Sequence, residues 1–237
     1  MSQILELEEH LQRYWQMDHH RNPLLSSTLD QVQAWQKLRM QKTHAVLFNE
    51  PGHAKLAAYF LNRLYGSPEF AELARELERI LFRAKKIERI VPDNALTAGS
   101  TGIALALLAV ELDEEVARFL IKHELDITER NMAHTYKTLG QDASRHEQMS
   151  QLSTLCYLVE KYVRSAMLQT AFKMSRSVAY RHNFKLLYDF IAEGFDAMKT
   201  IKSMPKFIEP FCARELILIE QVRSGVPNPF DIAGDPA

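Results

Sequence analysis

The sequence predicts an all-α protein, a single-domain bundle of eight or nine helices around a buried apolar central helix. Three observations carry this. Apolar residues recur at three- and four-residue spacing along nearly the whole chain, and no stretch alternates as a strand would. Glycine and proline are scarce, 8 and 9 in 237 residues, and most stand where a helix would begin or end. Hydrophobic residues make up 46% of the chain against 25% charged, enough apolar material for a substantial core.

The elements follow in order. Residues 3–20 read as a first helix, with Ile4, Leu7, Leu11, Tyr14 and Trp15 on one side and Asn22-Pro23 as its break. A second is expected over 27–47, presenting Leu29, Val32, Trp35, Leu38 and Arg39. After the Asn49-Glu50-Pro51-Gly52 turn, a third spans 53–65, with Leu56, Phe60, Leu61 and Leu64 as its core stripe. Gly66 suits a left-handed C-cap, and Ser67-Pro68-Glu69 supplies a capping hydroxyl, a first-turn proline and an acid for the next helix.

That fourth helix, 68–90, buries Phe70, Leu73, Leu77, Ile80, Leu81, Ala84 and Ile87. Residues 94–123 form the fifth, apolar all round from Ile103 to Val110 and polar after Glu111, the pattern of a buried centre with a solvated end. Asp126 to Glu129 (DITE) reads as a capping box opening a short helix that stops at Leu139-Gly140. A long helix is expected from Ser144 to Arg176, another over 184–200, and a last one from Pro205 to Ser224-Gly225. The domain therefore covers residues 1–225. The tail 226–237, VPNPFDIAGDPA, has three prolines and no periodicity, and is expected to be flexible.

With these boundaries drawn, several segments resemble the FFLEELY-motif proteins, an uncharacterised family of helical bacterial proteins. They are Trp35-Gln36-Lys37-Leu38-Arg39, Tyr59-Phe60-Leu61-Asn62-Arg63-Leu64-Tyr65-Gly66, Arg89-Ile90-Val91-Pro92, Phe190-Ile191-Ala192-Glu193-Gly194-Phe195 and Arg214-Glu215. They span roughly 35–215 in the family's order. This chain has Asn62 and Arg63 where the family has two glutamates. A catalytic acid pair would not survive that exchange, so the resemblance implies a helical fold and a bacterial cytoplasm, with no assigned activity.

Charge excludes little and points nowhere in particular. Lys and Arg number 29 against 30 Asp and Glu, a net charge of −1, so no overall field draws the chain to nucleic acid or an anionic membrane. The N-terminus lacks the basic and apolar regions of a signal peptide, and the longest apolar run is far too short to span a bilayer; a cytoplasmic location is expected. Cys156 and Cys212 have no metal-type spacing and read as buried reduced thiols.

Catalytic machinery is not legible. The chain has no Gly-rich phosphate loop, GxSxG, HExxH or CxxC. A di-iron bundle needs glutamates and ExxH pairs on several facing helices, which the chain does not supply. His19, His20 and His182 are expected as solvated caps, and His134 is the one histidine placed as a haem ligand would be, mid-helix. Glu111, Asp113, Glu114 and Glu115 read as a solvated acidic face. No catalytic residue, metal or cofactor is expected.

The positive feature lies on the fourth helix. At about 100° per residue, Arg75, Arg79, Arg83 and Lys86 share a face within about 80°, opposite the apolar stripe. Such a face is either solvated or docks an anionic surface. The expectation is a cytoplasmic, non-catalytic binding or adaptor protein acting through a protein partner, with these four residues as its contact. The alternative is a small apolar ligand held in a pocket beside Ile103–Val110, where Ala98, Gly99, Ala104, Ala106 and Ala109 leave room. An enzyme ranks third, and nucleic acid is the weakest partner.

Overall fold

The computed structural model describes residues 3–82 and 93–231. The described residues form eleven α-helices and no strand. They are α1 (Gln3–Gln16), α2 (Pro23–Thr43), α3 (Ala45–Asn49), α4 (Ala54–Tyr59), α5 (Phe70–Phe82), α6 (Asp93–Lys122), α7 (Glu129–Leu139), α8 (Asp142–Arg164), α9 (Ala166–Arg181), α10 (Lys185–Met198) and α11 (Met204–Ser224). The all-α expectation holds, and the count exceeds the expected eight or nine for local reasons.

Ser165 is one such reason. Its backbone is extended and its side chain accepts from the Leu168 amide, so the single helix expected over 144–176 divides into α8 and α9. Asn22 is another, because its carboxamide accepts from the Leu24 and Leu25 amides and Pro23 fills the first helical position, starting α2 four residues early. Thr128, not Asp126, caps α7 through the Asn131 amide.

The helix expected over 53–65 is α4 followed by one π-turn, Phe60–Leu64, closed by the Tyr65 amide on the Phe60 carbonyl at 2.9 Å. A π-turn holds an extra residue, so side chains beyond it rotate relative to the preceding stripe. Leu64 is thereby exposed and Tyr65 turns inward. Gly66 then takes a φ of +55° at the corner, where a Cβ would also meet the Gln33 side chain at 2.8 Å. The Gly66 carbonyl accepts from Lys37 Nζ at 2.8 Å.

The thirty-residue α6 is the axis, packed by α1, α2, α7 and α8. Three apolar clusters surround it. One joins α1, α5 and Leu107 of α6; a second joins α2, the later half of α6, α7 and the end of α11; a third joins α3, α4, α8, α10 and the start of α11. Burial along α6 runs opposite to its apolarity. Within Ile103–Val110 only Leu107 is fully buried, whereas Leu112, Asp113, Glu114, Val116, Ala117 and Leu120 all are. The end expected to be solvated is the one the bundle encloses. Similarly, Leu38 of α2 is exposed and Arg39 is the residue that turns inward.

Within the segment expected to be flexible, 226–237, Phe230 is buried, its ring 5.1 Å from Trp35 and 6.3 Å from Tyr136. Residues 232–237 lie outside the described residues. Phe230→Ala is expected to cost about 3 kcal/mol, read as a lowered urea midpoint at unchanged slope. An unchanged midpoint would mean that the segment after α11 is not part of the cooperative core.

Candidate functional site

The most buried polar groups converge where the second and third apolar clusters meet. Arg39 of α2 forms a fork on Glu215 of α11, Nη1 donating to Oε1 and Nη2 to Oε2, the latter at 2.9 Å. Gln36, one turn back, accepts from Arg39 Nε at 3.2 Å and fixes the guanidinium plane. His44 Nε2 lies 2.7 Å from Glu215 Oε1, and its ring stacks on Phe211 with centroids 4.2 Å apart. Arg214 donates to the Thr43 carbonyl at 2.8 Å. Arg39 and Glu215 are about nine-tenths buried, and His44 almost wholly so.

Their titration follows from that burial. Burial alone would raise the Glu215 carboxyl, but the Arg39 charge and the hydrogen bonds from His44 and Arg39 overcome it and hold it at about 2 against an ordinary 4.5. Burial lowers the His44 pKa despite the Glu215 bond, so the imidazole is neutral and donates from Nε2.

A second polar chain runs beside the first. Tyr65, delivered by the π-turn, donates to Asp113 Oδ2 at 2.5 Å, and Arg145 of α8 lies 3.7 Å from Asp113 Oδ1. Arg145 Nη2 also donates to Gln141 Oε1 at 3.0 Å, while Gln141 Nε2 donates to the Leu112 carbonyl at 3.1 Å. Burial raises the Asp113 pKa, with Arg145 and Tyr65 opposing. Burial also raises the Tyr65 and Tyr136 phenols, so both remain protonated donors.

Members of both networks, Gln36, Arg39 and Glu215 of the first and Gln141 and Arg145 of the second, line a cleft of about 200 Å³ between α2, α7, α8 and α11. Gln36, Arg39, Tyr136, Arg145 and Glu215 supply its polar side. Met149, Leu218, Ile219, Val222 and Phe230 supply an apolar side, and Lys137, Asp142 and Arg223 also line it. The Arg145 guanidinium carbon lies 4.6 Å from the centroid of the Tyr136 ring. Two donors of these residues, Arg145 Nε and the Tyr136 hydroxyl, are closed off from the cleft and have no hydrogen-bond partner among the described residues.

The predicted basic stripe is placed elsewhere. Arg75 lies over the Trp15 ring at 5.4 Å. Arg79 donates to the Asn183 carbonyl at 2.7 Å, faces Glu76 at 3.8 Å and lies over the Phe184 ring at 5.3 Å. Both therefore tie α5 to its neighbours, while Arg83, Lys86 and the Arg89–Pro92 segment lie outside the described residues. The acidic face is corrected: Asp113 and Glu114 are buried, and Glu114 binds His19 at 2.6 Å and Arg118 at 2.6 Å. His19 is thus a largely buried hydrogen-bond partner of Glu114 and not a solvated cap.

Glu50 and His53, an ExxH pair, meet at 3.5 Å across the turn before α4. Among the described residues no group of three or more His, Cys, Asp or Glu side chains is disposed to hold a metal ion. Cys156 and Cys212 are free thiols, and burial pushes Cys156 up to about 12 and Cys212 to about 11. Both are therefore poor nucleophiles at neutral pH. Among the described residues no helix is long and apolar enough to cross a membrane.

Sequence reading reached the cleft residues without assembling them. Arg39 stood in the inward stripe of its helix, and Asp113 shares a three-and-four spacing with Val116, Ala117 and Leu120. A charge in an apolar stripe requires a buried partner, and that signal is present. Which partner it meets, 176 residues away in the case of Arg39 and Glu215, depends on tertiary packing.

Removing one member should be costly. Glu215→Gln is expected to lose about 3–5 kcal/mol at pH 7, because Arg39 is left buried without its countercharge. The folded pKa lies below the unfolded one, so this stabilisation is present above pH 4.5 and is lost as pH falls toward about 2. Asp113 acts oppositely: its raised pKa favours the fold below 3.8 and that contribution is lost as pH rises through the folded value. Urea unfolding at stepped pH should show a shallower decline for the variant than for the parent between 4.5 and 2; parallel declines would show that Glu215 is not held as described.

No curated protein and no solved structure matches the chain. A family model does, over residues 16–229, and its description is a domain of unknown function (DUF8198). That span contains all four helices of the cleft, the π-turn and Glu215. The chain belongs to the DUF8198 family.

Proposed function

We propose that the protein is a non-catalytic binding protein whose ligand is a small molecule held in the cleft between α2, α7, α8 and α11. The observation that carries this is the cleft itself, about 200 Å³ in volume, whose lining sets Gln36, Arg39, Tyr136, Arg145 and Glu215 beside Met149, Leu218, Ile219, Val222 and Phe230. That volume exceeds what one water needs. The cleft differs from the alternative drawn from sequence, a pocket beside Ile103–Val110: none of those residues lines it, and its lining is mainly apolar with a polar minority. Two of the cleft's groups are poorly suited to nucleophilic work, since Glu215 is tied to Arg39 and the Tyr136 phenol is held protonated by burial. The resemblance to FFLEELY-motif proteins and the bacterial cytoplasm it implies belong to the same proposal. So does the role of the segments quoted for it, which contribute Arg39, Tyr65 and Glu215.

A second reading, capture of a protein partner, is favoured by one observation on α9. Met167, Met174 and Val178 are 76%, 74% and 53% exposed and recur at seven and four residues along one face. Arg75 and Arg79 of the basic stripe are exposed as well, although each also contacts a neighbouring aromatic ring; α9 adds an apolar face to that reading. Met167→Glu with Met174→Glu should abolish capture of a purified candidate partner without changing the thermal midpoint; undiminished capture would remove the α9 face from consideration.

The cleft reading is tested by blocking it. Ile219→Trp places an indole in the space while leaving the buried pairs intact. Ligand-observed NMR with a mixed library of small acids, amides and alcohols should give hits with the parent protein that the folded variant loses. Identical hits for both proteins, or none for the parent, would overturn it.

A further inference from the structure

We infer that α9 lies flat on an anionic lipid bilayer, its exposed apolar stripe among the acyl chains and its lysine and arginine side chains among the headgroups. This rests on the exposed α9 face of the second reading and on nothing in the cleft, which no α9 residue lines.

The helix is held from one side. Phe172 stacks on Tyr188 of α10 with ring centroids 4.5 Å apart, and meets Phe195 edge-on at 5.0 Å. α9 packs chiefly on α8 and α10, and none of its 16 residues is buried. At about 100° per residue, Met167, Ala171, Met174 and Val178 fall within about 60° of one another, on the side away from Phe172. All four are exposed. They run about 16 Å along the helix, and apolar surface gathered in such a row marks a contact face.

The charge around this stripe is one-sided. From Lys161 to Tyr188 the chain carries Lys161, Arg164, Lys173, Arg176, Arg181 and Lys185 and no Asp or Glu. The whole chain has a net charge of −1, so the remainder carries −1 − 6 = −7. The neutral total therefore conceals a local basic surface. The flanking acids do not cancel it, because each is already bound. Glu160 accepts from Arg164 at 2.6 Å and Asp189 from Lys185 at 2.5 Å. Asp196, which also feels Lys55 and Lys173, is held by Lys199 at 2.8 Å. Arg176 lies over the Tyr180 ring at 5.0 Å. Lys161, Lys173, Arg176 and Arg181 form no ion pair among the described residues.

This combination favours lipid headgroups over a protein. The cations are spread over the last turn of α8, the length of α9 and the start of α10, with no single register for a partner's carboxylates to match. Headgroup charge is diffuse and needs none. A stable protein contact covers on the order of 800 Å² on each side, and a ridge of four apolar side chains is small for that. Unbranched methionines pack readily among acyl chains, while lysine and arginine stems reach along the helix flank to the headgroups. Near an anionic surface each such cation adds about fivefold to the affinity.

Co-sedimentation of the full chain with vesicles tests this. Vesicles of equal parts phosphatidylglycerol and phosphatidylcholine should carry the protein down, vesicles of phosphatidylcholine alone should not, and molar salt should release it. Lys173→Gln with Arg181→Gln should weaken binding about twentyfold. Met167→Ser with Met174→Ser should weaken it about tenfold. Both pairs should keep the parent's thermal midpoint, since all four side chains are exposed. An environment-sensitive fluorophore on Met174→Cys should shift to the blue on the mixed vesicles, with the parent chain, which has only Cys156 and Cys212, as the labelling blank.

Equal sedimentation with both vesicle types, or sedimentation that neither pair of substitutions weakens, would overturn the assignment. Failure to bind the mixed vesicles would overturn it too. In that case poly-glutamate bound through Lys173 and Arg181 would give the face to an acidic protein, so the second reading can stand where the lipid assignment has failed. A DNA oligonucleotide bound through the same two residues would give it to nucleic acid instead.

Discussion

The Arg39–Glu215 fork is the constraint on which the rest of the structure depends. It joins an early helix to the last one, and places a charge pair where two apolar clusters would otherwise meet. Burying two ions costs several kcal/mol each by order of magnitude, and only good geometry with further hydrogen bonds offsets it. Gln36 and His44 supply those bonds. Two apolar surfaces can slide against each other at little cost, whereas a bidentate fork has one register. The pair thus contributes less to raw stability than to the uniqueness of how α2 meets α11.

Because the fork is fixed, the groups beside it are fixed as well. Tyr136 packs in the second cluster near Trp35 and Phe230, and Arg145 is stacked on its ring. Both side chains are therefore held by packing, and little rotamer freedom remains to them. The polar wall is an extension of the core and not a decoration of the surface. That distinguishes it from the basic face of α5, whose two described arginines serve as fasteners to α1 and to the turn before α10.

The helical architecture was largely legible because period, proline and glycine act locally. The corner at Gly66-Ser67-Pro68 is formed as expected, and Asn22, Ser165 and Thr128 each end or begin a helix through a side-chain bond of ordinary type. What misled was the meaning of polarity along α6. Glu111 onward looked like the wet half of a helix, but Asp113 and Glu114 are enclosed because Arg145, Tyr65, His19 and Arg118 reach them from other elements. A carboxylate and its partner attract across any sequence separation, and a one-dimensional pattern records only one of the two. Phe230 was misread for the same reason: proline-rich surroundings describe the backbone and not the destination of one aromatic ring.

The π-turn at Phe60–Leu64 makes chain length a matter of orientation. In an exposed loop, gaining or losing one residue mostly changes slack. Here the surplus residue lies within a helix, and about 100° of rotation separates the two ways of winding it. With the wider turn, Tyr65 faces Asp113; with ordinary winding, the side of the helix that carries Leu64 would face there instead. The segment between Ala54 and Gly66 thus acts as a phase setting for the interior, and its residue count is as much a part of the buried Tyr65–Asp113 contact as the two side chains that make it.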